Sequence, residues 1–113
     1  MDRMSWEDAR NRELAHWSAV RAAVGSAAPV TLLTEINAAD ALCAKAKEEA
    51  GGAESFCDRC LFYQQFGGCR EVTGRISERV AAGDEPTVRA LIDEFIAHLR
   101  ALEVPKLLIP HAG

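Results

Sequence analysis

Apolar residues recur along this chain at the three- and four-residue spacing of helices, with no convincing run of strict alternation. The first such segment runs from about Ser5 to Val24. At about 100° per residue, Trp6, Trp17, Val20 and Val24 share one face, with Leu14 at its edge. Ser5, with Asp8 three positions on, resembles a capping box, and Gly25 supplies the stop. Arg10 and Glu13 fall on the same face, either as a pair or because that face is only partly buried. The loop "GSAAP" leads to a second helix expected from about Val30 to Ala50, with Leu32, Ile36, Ala39, Cys43 and Ala46 facing inward. Gly51-Gly52 ends it.

A short helix is expected over "CDRCLFYQQF", with Ser55 as its cap and Gly67-Gly68 as its breaker. A third long helix runs from about Cys69 to Ala82 on the stripe Cys69, Val72, Ile76 and Val80, and Gly83 closes it. Asp84, Glu85 and Pro86 start the last helix, about Glu85 to Glu103, whose inward line is Val88, Leu91, Ile92, Phe95, Leu99 and Leu102. The pattern predicts an all-α fold, a compact bundle of four principal helices plus one short cysteine-bearing helix. A chain of 113 residues has material for one core but not two. Residues 1–104 therefore read as a single helical domain with one cysteine-ligated site. Residues 105–113 read as an apolar tail, extended across the bundle or against a second subunit.

Charge narrows the functions this fold can serve. A net charge of -4 argues against nucleic acid as a partner, which calls for a basic face. Arg70, Arg75 and Arg79 lie close together but read as a solvated helix face. No apolar run approaches the roughly 20 residues that cross a bilayer, and the charged start "MDRMSWEDARNREL" lacks the apolar core of a secretory signal. A cytoplasmic protein is expected. Thiols stay reduced there, so clustered cysteines point to metal ligation or redox chemistry before structural bridges.

The four cysteines follow the pattern C-x13-C-x2-C-x8-C. On a helical turn, Cys57 and Cys60 project their sulfurs the same way. The paired glycines before Cys69 let the backbone double back and return a third thiol. Cys43, on the inward stripe of the preceding helix, completes a four-sulfur cage. Four thiolates suit Zn2+ as a closed structural site or a [4Fe-4S] cluster with one thiolate per iron. An apolar shell of Phe56, Phe62 and Phe66, with Leu61 and Tyr63, leans towards the cluster. Zinc is the commoner occupant of small four-cysteine domains. The expected role is a regulatory or partner-binding module rather than an enzyme, since no small-molecule substrate chemistry is visible. The tryptophan face and apolar tail are its candidate surfaces for a protein partner or homodimer.

Two rival chemistries fit parts of the chain. Cys57 and Cys60 form a C-x-x-C of the thiol–disulfide exchange kind, with Arg59 the nearest cation to favour a thiolate. That motif normally follows a strand, and none is apparent. Glu13-x-x-His16 matches half of a di-iron carboxylate motif, with Glu35 and His98 as further ligands. The second half is imperfect, because Glu94 and His98 are spaced four apart. His98 is better read as a packed or half-exposed side chain, although it could replace one cysteine in a Cys3His site. His111 reads as solvated.

Overall fold

The structure, a computed structural model, describes residues 5–38, 41–51 and 60–104. Within them the chain is all-α: α1 (Trp6–Ala23), α2 (Pro29–Ala38), α3 (Ala41–Glu49), α4 (Leu61–Phe66), α5 (Cys69–Ala81) and α6 (Glu85–Ala101). α1 packs against α2, α3 and α6, while α5 packs against α2 and α6 and meets α4. Among the described residues no helix is long and apolar enough to cross a membrane. The expected cap at Ser55 and the tail 105–113, with His111, lie outside the described residues.

The helix ends follow local chemistry. Ser5 caps α1 by accepting the Asp8 backbone N–H at 3.0 Å. Asp84 caps α6 by accepting from Thr87 N at 3.4 Å, and Pro86 lies in the first turn, where a missing N–H costs nothing. The turn after α1 needs glycine for two reasons. Gly25 has φ +93°, and a Cβ there would sit 2.8 Å from Arg89 Nη2.

The apolar stripes pack as one core. Trp17, Ile76, Ile92 and Leu99 are fully buried, joined by Val20, Val80, Val88, Phe95 and Leu102. An aromatic chain ties three helices together. Trp17 of α1 meets Phe95 of α6 edge-on at 4.9 Å, and Phe95 meets Phe62 of α4 at 5.0 Å. Gln65 then clasps the end of α6, its amide donating to the Glu103 carbonyl at 2.7 Å and accepting the Glu103 N–H at 2.9 Å. At the surface, Arg21 of α1 pairs with Asp93 of α6 at 2.7 Å.

Two expectations need correction. The helix expected over 30–50 is described as α2 and α3, with residues 39 and 40 between them outside the described residues. The Leu42 N–H donates to Glu13 Oε1 of α1 at 3.1 Å. The inward stripe differs from the expected one: Leu42, Lys45 and Ala46 are buried and Cys43 is only partly so. Lys45 can be buried because Glu48 (3.2 Å) and Glu49 (3.1 Å) flank its ammonium, which also sits 5.9 Å from the Trp6 ring centre.

The second correction concerns the short helix. It begins at Leu61, so Cys60 is the residue before it, in extended conformation at φ -81°, ψ 123°. Cys60 therefore does not project from a helical turn. Cys57 lies outside the described residues.

Candidate functional site

Three of the four cysteines belong to three neighbouring elements. Cys43 sits in α3, Cys60 precedes α4, and Cys69 is the first residue of α5. α4 packs against both α3 and α5, which brings the three positions towards one junction. The glycine pair makes the return possible: Gly67 takes φ +92° and Gly68 is extended, so the chain leaves α4 and starts α5 within two residues. Among the described residues, Cys43, Cys60 and Cys69 form no disulfide.

The Cys43 side chain lies close enough to Cys69 to act on its ionisation. That influence, followed by burial and then by the negative charges of Cys60 and Glu13, pushes the Cys69 thiol far above its ordinary range. The physical content is plain. A second and third thiolate beside this one would repel each other, and Glu13 adds to the repulsion. Such a group of sulfurs holds its protons, or it gives them up to a cation that neutralises the accumulated charge.

Cys60, 5% exposed, is felt by Cys69 as a charge and not as a direct contact. Consistent with that, among the described residues no group of three or more His, Cys, Asp and Glu side chains is arranged to hold a metal ion. What is described is Cys43 beside Cys69, with Cys60 near enough to act on Cys69 as a charge. The fourth expected ligand, Cys57, and the expected shell residue Phe56 lie outside the described residues, as does Arg59.

The remaining shell residues are placed against α6. Phe62 is buried against Phe95, and Phe66 stacks on His98 at 4.6 Å with 22° between the planes. His98 thus sits in an aromatic contact, with Phe62 also at 6.4 Å. Tyr63 and Phe66 are exposed.

The residues of the di-iron pattern are engaged separately. Glu13 is buried, and its two oxygens take the Trp17 indole N–H at 2.8 Å and the Leu42 N–H. His16 Nε2 donates to the Glu35 carbonyl at 2.6 Å, and the Glu35 carboxylate is 3.9 Å away. Arg10 turns to Glu7 at 3.9 Å and not to Glu13. Glu13 is the residue whose importance the sequence pattern understated. Its signal was present: a carboxylate on an inward face, four residues before a tryptophan, needs a buried donor.

A cavity of about 240 Å³ lies elsewhere, between the α1–α2 and α5–α6 turns. It is lined by Val24, Leu32, Val80 and Val88 among others, with Arg79 and Asp84 at hand, and no cysteine reaches it. Those two charges already pair at 3.6 Å. No protein-family model, curated protein or solved structure matches this chain.

Proposed function

We propose that the chain is a small helical metal-binding protein of the cytoplasm, with one centre held by Cys43, Cys57, Cys60 and Cys69. The observation that supports this reading is the placement of Cys43 in α3, Cys60 just before α4 and Cys69 at the start of α5, with α4 packed against both α3 and α5. Cys57, two residues' gap before Cys60, supplies the fourth sulfur.

A single zinc ion is the commoner occupant of small four-cysteine domains. The placement of Phe62 and Phe66 against α6 also takes weight from the apolar-shell argument for a cluster. When bound, zinc would supply the positive charge that lets the four thiols ionise together.

A closed four-thiolate site has no open position for a substrate, so its role is structural. It would pin α3, α4 and α5 at their junction and hold the surface of a regulatory or partner-binding module. Elemental analysis of protein purified without oxygen is the test. About one zinc per chain is expected, consistent with a closed single-metal site. A brown protein carrying iron and sulfide would replace zinc by the cluster. A folded, metal-free protein whose Cys60→Ser variant keeps full stability would remove both.

A further inference from the structure

We propose that the cavity between the α1–α2 and α5–α6 turns binds a small apolar carboxylic acid, with Arg79 holding the carboxylate at its mouth. The cavity has a volume of about 240 Å³. Its walls are the core side chains Val24, Leu32, Val80 and Val88, each 7% exposed or less, with Pro29 at the edge. An apolar cavity of about 150 Å³ takes up benzene, so there is room here for one phenyl ring or a short alkyl chain together with a head group. Drug-sized ligands need about 300–1,000 Å³, which limits the occupant to a small one. No cysteine lines the cavity, so the site stands apart from the proposed metal centre.

The mouth selects the head group. Its charged residues are Arg79, Asp84 and Glu85. The Glu85 carboxylate is taken by Arg89 at 2.8 Å. Asp84 accepts the Thr87 N–H as the cap of α6. Arg79 meets Asp84 only at 3.6 Å, beyond hydrogen-bond distance, and its side chain is 44% exposed. A guanidinium presents its N–H donors in a planar fork that matches a carboxylate. Arg79 is therefore the charged group at the mouth with binding capacity left. An ammonium head group would have to displace Arg89 or loosen the α6 cap, whereas a carboxylate only draws Arg79 from a long contact.

The test titrates the full chain at neutral pH with phenylacetate, 2-phenylethanol and 2-phenylethylamine, three head groups on one aromatic body, and follows backbone amide NMR shifts. Phenylacetate should bind at least about fivefold more tightly than the alcohol, the difference between a charge-assisted and a neutral hydrogen bond. The amine should bind most weakly. The shifts should centre on Val24, Leu32, Val80 and Val88. Arg79→Gln, at an exposed helix position, should bring phenylacetate down to the level of the alcohol and leave the alcohol unchanged. Asp84→Asn keeps an acceptor for the Thr87 N–H but removes the charge that competes for Arg79. It should tighten phenylacetate at least about threefold, as expected when a surface ion pair worth up to about 1 kcal/mol no longer opposes binding. Tightest binding by the amine, equal binding of acid and alcohol, or phenylacetate binding that Arg79→Gln leaves intact would each overturn the proposal. So would shifts centred elsewhere, or no saturable shift from any of the three probes.

Discussion

The Glu13 carboxylate of α1 accepts the Leu42 N–H of α3 at 3.1 Å, so one helix supplies the acceptor for the first turn of another. The relationship joins residues 29 positions apart and places a negative charge where a helix N-terminus favours it. The other carboxylate oxygen takes the Trp17 indole N–H at 2.8 Å. Through α3, the contact also fixes where Cys43 stands.

Glu13→Ala should therefore be among the costliest polar substitutions in the chain. It strands two buried donors and opens space beside Trp17, a loss of about 2–4 kcal/mol. Glu13→Gln retains one acceptor but turns an amide N–H towards the other donor, and should cost about half as much. Urea unfolding of both variants, followed by tryptophan fluorescence, gives the two values. A loss below about 0.5 kcal/mol in the alanine variant is the range of an ordinary surface change and would show that Glu13 does not cap α3.

Two glycines should respond to alanine with opposite signs. Gly74 lies within α5 with nothing within 4 Å of an added Cβ, and its φ is not positive. Gly74→Ala should raise stability by about 0.5–1 kcal/mol through helix propensity and a less free unfolded chain. Gly25→Ala forces a left-handed φ on a side chain and pushes Arg89 away from Val24 O and Glu85. It should lower stability by about 1 kcal/mol or more. Thermal unfolding of the pair reads both signs, and a stabilised Gly25→Ala would contradict the turn geometry.

The Arg21–Asp93 pair makes stability sensitive to acid. The hydrogen bond from Arg21, helped by its charge, holds the Asp93 carboxyl below its ordinary range. Its folded value is then lower than its value in the unfolded chain, about 3.9. The stabilisation is present above that pH and is lost as pH falls through the folded value. Asp84, lowered mainly by its hydrogen bond with Thr87, acts in the same direction. Wild-type melting temperature should drop between about pH 4 and pH 2, and Asp93→Asn should flatten only part of that drop. Asp93 is exposed, whereas Asp84 is half-buried, so added salt should weaken the Asp93 contribution. An unchanged acid profile in Asp93→Asn would exclude the pair as a source.

The ends of the chain's periodic segments were legible where the signal is local. Ser5, and Asp84 followed by Pro86, cap their helices through atoms within three residues, so pattern and structure agree. The stripe of α6 was legible because Val88, Ile92, Phe95 and Leu99 repeat on one face over about three turns. The placement of Cys60 before a helix instead of within one depends on where α4 docks on α6 through Phe62 and Gln65. No local pattern encodes that docking.

If zinc binds the gathered thiols, its affinity becomes folding stability, because the unfolded chain separates Cys43 from Cys69. At free zinc 100-fold above its dissociation constant, the folded state gains about 2.7 kcal/mol. For a domain of this size that is a rise in melting temperature on the order of 10 °C. A chelator should reverse the rise. Cys43→Ser and Cys69→Ser should abolish it, while Gly74→Ala, which touches no thiol, should shift the baseline and leave the zinc response intact. The response should also weaken with acid, because the neighbouring sulfur and the negative charges around Cys69 make it hold its proton against the metal. Zinc titrations at two pH values, followed by thermal unfolding, read all of these together. Equal melting temperatures with and without zinc at both pH values would separate these cysteines from metal chemistry.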